Sequence, residues 1–232
     1  MKVHAVLLAA GSSERFKSEQ SKILFDFEGK PIILYSLQTF LNSGLFETIT
    51  LLVNDQNKED LLELINNNDS LSSIKVIEGG KTRHNSEQIA LQHLEEEGVG
   101  SDDLISIHDA ARSFINKELL YKLIDSAKQY SSSVPAIKSR TIVSSESRLL
   151  APDQDMYYSM QTPQTFLAKD LFFSYSKANE EGWLGIDTVE CISKYTDIKA
   201  KIVEGTDLNM KITFLEDLEK IKRIIKDNDF KI

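Results

Sequence analysis

The chain has 232 residues, 41% of them hydrophobic and 27% charged, an ordinary balance for a globular protein in water. Its net charge of −9 argues against a broad nucleic-acid footprint, because nonspecific grip on phosphate backbones needs a basic face. A single cysteine, Cys191, excludes an internal disulfide framework and a multi-cysteine metal site. No apolar run is long enough for a membrane span or shaped like a signal peptide, so a cytoplasmic protein with no membrane partner is expected.

Short apolar runs alternate with helix-period segments along the chain. VHAVLLAA reads as a buried strand and is followed by a loop of hydroxyls and charges, GSSERFKSEQSK. A helix follows in PIILYSLQTFLNSG, where Ile33, Tyr35, Leu37, Phe40 and Leu41 form a wide apolar face, Pro31 suits the first turn and Gly44 the end. TITLLV is the next strand and KEDLLELINN the next helix. IKVIEGG then RHNSEQIALQHLEEEG, and DLISIHDA then KELLYKLIDSAKQY, repeat the pattern. Strand-then-helix units with short connections predict an α/β fold: a doubly wound, mostly parallel sheet with helices on both faces.

The regularity breaks near Ser131. SVPAI suits one more strand, but about 138–156 alternates polar and apolar residues, with SSES as a plausible hairpin tip. Such a protruding β-hairpin arm exposes strand edges, and two readings stay open: a solvated hairpin, or an arm covered by a second copy of the chain in a symmetric dimer. Helices at AKDLFFSYSKANEEG and TVECISKY, a strand at IKAKIVEG and a terminal helix at FLEDLEKIKRIIKDN complete the chain, with no linker, repeat or low-complexity tract. One domain, 1–232, carrying the arm is expected.

Ligands of open parallel sheets bind at the carboxyl ends of strands, which selects four loops. The first lacks both the dinucleotide glycine fingerprint and the Walker pattern, but holds Gly11, Ser12, Ser13, Arg15 and Lys22. It is either a phosphate cradle or a solvated loop. The second, EGGKTRHNSEQ, places two glycines where another molecule can approach closely, and Ser86 there suits a helix cap or a ligand contact. In the third, IHDAAR, Asp109 suits a divalent cation such as Mg²⁺ shared with phosphate oxygens, or a helix N-cap. His108 reads as a satisfied semi-buried histidine rather than a catalyst, and the four widely spaced histidines offer no zinc site. In the fourth, Lys211 either alternates outward or points into the cleft as a phosphate clamp. Taken together, Arg15, Lys22, Asp109 and Lys211 around one edge suggest phosphoryl-group chemistry rather than acyl transfer.

The blocks LLAAGSSERF…SK, GGKTR..S, IHDAAR, QTPQTF and NMKITFLEDL occur in one order and spacing from about Val3 to Leu218. In them the chain resembles the 2-C-methyl-D-erythritol 4-phosphate cytidylyltransferases and the related ribitol-5-phosphate cytidylyltransferases. The resemblance implies a Rossmann-like nucleotidyltransferase in which Ala9, Ala10 and Gly11 bind CTP through their backbone and Arg15 and Lys22 stabilise charge at the α-phosphorus. Gly80, Arg83 and Ser86 would lie beside the cytosine, Asp109 would hold Mg²⁺ and Ala110 would lie near the ribose. Arg112, Thr162 and Lys211 would meet the polyol phosphate, and the arm would form a homodimer and deliver Thr141 to the partner's site.

Three positions depart from that pattern. Ser21 precedes Lys22 where the family carries proline, and Arg140-Thr141 stands where the arm carries Asp-Thr. Gln154, eight residues before Thr162, replaces an arginine whose acceptor-phosphate contact is worth about 1.5–3 kcal/mol. LLAAG and HDAAR resemble the methylerythritol branch, which makes that acceptor the leading expectation, and DMYYSMQTPQ the ribitol branch, the alternative. A non-catalytic CTP-binding relative is the alternative of another class; a nicotinamide-dependent dehydrogenase shares the sheet but lacks the fingerprint here.

Overall fold

The computed structural model describes residues 1–16, 21–138 and 157–227. The apolar run at the amino terminus forms β1 (Val3–Leu8), which is buried on both faces: Ala5 and Leu7 pack into one cluster and Val6 into another. A strand lying centrally between two helical layers must be apolar on alternate and intervening residues alike, which is why the run does not alternate. A two-stranded ribbon follows, β2 (Asp26–Phe27) with β3 (Lys30–Pro31), then α1 (Ile32–Ser43), closed by Gly44 in the left-handed region at φ 67°.

Next in order are β4 (Thr48–Val53), α2 (Lys58–Asn66), β5 (Ile74–Glu78), α3 (Arg83–Glu96), β6 (Leu104–Asp109), α4 (Lys117–Tyr130) and β7 (Ser132–Lys138). The chain continues through β8 (Tyr158–Met160), β9 (Gln164–Leu167), α5 (Ala168–Glu181), α6 (Thr188–Tyr195), β10 (Ile202–Glu204) and α7 (Glu216–Asp227). The main sheet runs β10-β7-β9-β6-β1-β4-β5, with β8 paired to β7. β6, β1, β4 and β5 are mutually parallel, and β10 is parallel to β7.

β9 is an element the sequence does not announce. It lies antiparallel between β6 and β7, so the sheet is mixed beyond β6. Its residues Gln164 and Thr165 are polar yet buried: Thr165 meets the Ser106 hydroxyl at 2.9 Å, and the Gln164 carbonyl accepts from the Val189 N–H at 3.1 Å. Satisfied side-chain bonds permit a core strand without an apolar signature.

α1, α2 and α4 cover one face of the sheet, and α3, α5 and α6 the other. A third cluster packs α7 onto Phe16, Phe27, Tyr35, Phe114 and Ile212. It fixes the Lys211 segment against the end of β6, because the Ile212 N–H donates to the Ala111 carbonyl at 2.8 Å. Apart from Lys138, the predicted arm lies outside the described residues, and Thr141 and Gln154 with it. At its base β7 and β8 pair antiparallel, Lys138 opposite Tyr158.

Candidate active site

A cleft of about 300 Å³ opens at the carboxyl ends of β1 and β6, lined by Ala9, Ala10, Gly11, Lys22, Gly80, Arg83, Ser86, Asp109 and Lys211 among others. Its backbone wall is built before any ligand arrives. Asn57 donates to the Ala9 carbonyl at 2.9 Å, and Asn54 to the Ala10 carbonyl at 3.1 Å, so two asparagines after β4 hold the loop that follows β1. A Cβ on Gly11 would meet nothing within 4 Å, so the cleft is open above that residue.

The glycine pair after β5 is required by packing. A Cβ on Gly79 would stand 2.6 Å from the Ala10 Cβ, and one on Gly80 would stand 2.4 Å from the Asn85 Cβ. Ser86 ties this turn down: its hydroxyl accepts from the Gly80 N–H at 3.0 Å and donates to the Thr82 carbonyl at 3.0 Å. The helix cap expected of Ser86 is supplied by Thr82 instead, whose hydroxyl accepts from the Asn85 N–H at 3.1 Å.

Asp109 is the electrostatic centre. Its carboxylate lies 2.8 Å from the Lys211 Nζ, 3.3 Å from the Arg83 Nε and 3.9 Å from the Arg112 Nε. Burial alone would raise its pKa, but Arg83, Lys211 and Arg112 outweigh burial and hold it well below the usual carboxylate range, so it is ionised. The N-cap alternative for Asp109 does not hold, since Asn116 caps α4 by accepting from the Leu119 N–H at 2.9 Å. Lys211 points into the cleft rather than outward. Lys22 reaches the same space, where burial first, then the charges of Lys211 and Arg15, lower its pKa to about 8.

Beneath Asp109 runs a chain of bonds with one consistent direction. The Thr162 hydroxyl accepts from the Asp109 N–H at 3.0 Å, which leaves its own hydrogen for the His108 Nδ1 at 3.0 Å. His108 is fully buried and its pKa falls to about 4, chiefly through burial, so the ring is neutral at pH 7. The proton therefore sits on Nε2 and is donated to the Arg112 carbonyl at 3.1 Å. His108 supports the strand end from below and faces no ligand, as the sequence leads one to expect.

Arg83 is held from a second side. Its Nη1 lies 2.6 Å from the carboxylate of Glu87, one turn further along α3. Glu87 is completely buried and also accepts from the Tyr175 hydroxyl at 2.5 Å and the Thr188 hydroxyl at 2.7 Å. Burial works against the Arg83 charge, but Glu87 and Asp109 together hold its pKa above the ordinary value.

Of the residues singled out from sequence, Ala9, Ala10, Gly11, Lys22, Gly80, Arg83, Ser86, Asp109 and Lys211 line the one cleft. Arg15 sits on an exposed helical turn beside it, close enough to act on the Lys22 charge. The Ala110 side chain is buried in the core; its neighbour Ala111 lines the cleft instead. Thr162 lies under Asp109 rather than in the cleft, and Arg112 donates to the Asn209 carbonyl at 3.0 Å. Asn54, Asn57, Glu87, Tyr175 and Thr188 escape a sequence reading. Only the Asn-x-x-Asn directly after β4 gives a signal, as a polar pair at a strand's carboxyl end.

No described helix is long and apolar enough to cross a membrane. Among the described residues no three His, Cys, Asp or Glu side chains converge into a metal cage. Asp109 could give a hard cation such as Mg²⁺ one carboxylate ligand, the remaining positions falling to phosphate oxygens and water, while the three cations beside it oppose such an ion until phosphate neutralises them.

Comparison with known proteins matches residues 3–227 to the family profile of 2-C-methyl-D-erythritol 4-phosphate cytidylyltransferase. The enzyme of that name from Thermosipho africanus is 34% identical over 219 residues, covering 92% of this chain and 93% of its own. Its namesake from Bacillus velezensis is 28% identical over 229 residues, covering 97% of each. The crystal structure of 4-diphosphocytidyl-2C-methyl-D-erythritol synthase from Anaerococcus prevotii superposes with a TM-score of 0.81 at 23% identity, over 97% of this chain and 96% of that one, and shares the fold. With a family match that spans nearly the whole length and a cationic cleft at the strand ends, the chain belongs to the 2-C-methyl-D-erythritol 4-phosphate cytidylyltransferase family.

Proposed function

We propose that the cleft transfers the CMP group of CTP to 2-C-methyl-D-erythritol 4-phosphate and releases pyrophosphate. The observation that carries this reading is the grouping of Lys22, Arg83 and Lys211 around the ionised Asp109, between two backbone loops shaped for a close-fitting ligand. An acidic protein that gathers so many cations in one cleft is equipped to bring two anions together.

In this reading the acceptor's phosphate oxygen attacks the α-phosphorus in line as the bond to pyrophosphate breaks. That oxygen is already ionised near pH 7, so no general base is needed, and the neutral, buried His108 is not one. The protein's work is positioning and charge compensation. The loop Ala9–Gly11 presents backbone to the triphosphate, with Arg15 and Lys22 at the α-phosphorus. Gly80 and Ser86 frame the base, Ala110 underlies the ribose side, and Arg112, Thr162 and Lys211 face or support the acceptor side. Asp109 holds the divalent cation, which when bound offsets phosphate charge. With that cation bound, Lys211 would turn from the carboxylate to a phosphate oxygen, and Arg83 would give up its longer contact to Asp109 and stay against Glu87.

The reading includes a homodimer built on the arm, with Thr141 and Gln154 near the partner's acceptor. Tyr158 and Met160, 39% and 41% exposed on β8 at the arm's base, support a contact there. Sedimentation velocity checks it: a single 26 kDa species would remove the dimer.

The stretch DMYYSMQTPQ makes the ribitol acceptor the second reading; Gln154 stands where both families carry arginine and favours neither. The test of both is pyrophosphate release from CTP and Mg²⁺ with either polyol phosphate. Preference for 2-C-methyl-D-erythritol 4-phosphate is expected; preference for D-ribitol 5-phosphate would transfer the assignment. CTP binding with no release from either would make the chain a non-catalytic relative.

A further inference from the structure

The buried Glu87 is unusual for its surroundings. It lies on α3 behind the cleft wall, with no solvent exposure, and its carboxylate receives hydroxyls from two other helices, Tyr175 on α5 and Thr188 on α6. Burial pushes the Glu87 carboxyl up, and Arg83 at 2.6 Å with the two hydroxyl donors opposes that and favours the carboxylate. Arg83 in turn spans two carboxylates, Glu87 through Nη1 and Asp109 through Nε at the longer distance of 3.3 Å. The Thr188 hydroxyl, 3.5 Å from the Arg83 Nη2, closes the frame.

We infer that Glu87 is a positioning residue that serves as the permanent counter-ion of Arg83 and so leaves the Asp109 carboxylate free to exchange its cationic partners for a divalent cation. The inference rests on the reading of Asp109 as the cation ligand. Without the Glu87 charge, Arg83 has Asp109 as its remaining carboxylate, and the guanidinium competes with an incoming cation for the same oxygens. The cleft also gains one positive charge, which repels that cation. With Glu87 in place, an incoming cation displaces only the longer of the two Arg83 contacts, and the guanidinium stays aligned at the cleft wall.

The test is binding of Mn²⁺ at saturating CMP, whose phosphate can draw Lys211 off Asp109 while itself holding the metal only weakly, followed by electron paramagnetic resonance and water-proton relaxation in the millimolar range. Glu87→Gln keeps the shape and one acceptor oxygen, enough for either the Tyr175 or the Thr188 hydroxyl, but removes the charge. It is expected to weaken Mn²⁺ binding at least fivefold. Arg83→Gln combined with Glu87→Gln removes competitor and counter-ion together, and is expected to return binding to within twofold of the wild type or tighter. A purely structural role for Glu87 predicts the opposite order, the double variant binding no better than the single. Tyr175→Phe, which loosens the same network but keeps the charge, is expected to stay within twofold of the wild type.

Asp109→Asn separates the two layers of the claim. Weak binding in Asp109→Asn with near-normal binding in Glu87→Gln overturns the role of Glu87 alone. Unchanged binding in Asp109→Asn overturns the cation site, and the inference with it. Should Glu87→Gln fold too poorly to titrate, the double variant, which buries no uncompensated charge, decides: binding weaker than wild type by more than twofold overturns the inference.

Discussion

Replacing Lys22 with methionine isolates a charge that the cleft holds at a cost. Its ammonium is only partly exposed, and burial together with Lys211 and Arg15 lowers its pKa from 10.5 to about 8. A shift of that size corresponds to about 3 kcal/mol, which water in the open cleft reduces to about 1–2 kcal/mol. A bound triphosphate removes the penalty and turns it into attraction. Two effects of opposite sign follow from Lys22→Met. At pH 7 the folded protein should gain about 1 kcal/mol or more, read as a higher thermal midpoint, because a disfavoured charge is gone. Turnover should fall about 10²–10³-fold, the usual loss when one group that stabilises transition-state charge is removed. The pH profile adds a second signature, since kcat/KM for CTP reports ionisations of the free enzyme. In the wild type it should decline as pH rises through about 8, where Lys22 loses its proton, and that limb should vanish in the variant. The wild type's stability should rise between pH 8 and 10.5, because the unfolded chain keeps this proton while the folded one has released it. Pyrophosphate release across pH, with thermal unfolding alongside, measures all of this. Turnover within threefold of wild type, or an unchanged alkaline limb in the variant, would refute the role given to Lys22.

Thr162→Val leaves the buried Asp109 N–H without its acceptor and His108 without its donor. It should cost about 1–3 kcal/mol in denaturant unfolding and lower turnover through a displaced Asp109; full stability would show that the chain beneath Asp109 is dispensable. Gly80→Ala places a methyl 2.4 Å from the Asn85 Cβ and 2.9 Å from its backbone carbon. It should therefore destabilise by about 1–3 kcal/mol and weaken CTP binding, read by unfolding and calorimetry. Asn57→Ala removes the donor to the Ala9 carbonyl and the acceptor for the Asn54 N–H, so CTP affinity should drop even though Asn57 touches no nucleotide; unchanged affinity would mean the loop holds its own shape.

Much of the sheet and its covering helices is legible because β1, β4 and β6 are buried along nearly their whole length and α1, α3 and α5 each end at or just before a glycine. TITLLV is β4 residue for residue, and Gly44 and Gly182 end α1 and α5 in the left-handed region. β9 hides because its buried Gln164 and Thr165 satisfy one another's neighbours instead of repelling water. The same asymmetry governs the site. Lys22, Asp109 and Lys211 lie in loops that follow strands, where an ionisable residue stands out against apolar flanks. Glu87 lies inside a helix among other charged residues, one turn after Arg83, and only the arrival of Tyr175 from α5 and Thr188 from α6 shows that it is buried. Thr162 enters as a substrate contact through the resemblance alone, and the structure adds what no motif shows, that its hydroxyl bonds Asp109 and His108.

The central claim is that the charges clustered on Asp109 are a resting arrangement that a nucleotide and its cation reorganise. A crystal structure with CTP and Mg²⁺ tests it most directly. The account predicts that the Lys211 Nζ leaves the Asp109 carboxylate, now 2.8 Å away, for a phosphate oxygen, with the cation on Asp109 and Arg83 still against Glu87. CTP bound in this cleft with the Lys211–Asp109 pair intact and no cation on Asp109 would contradict it.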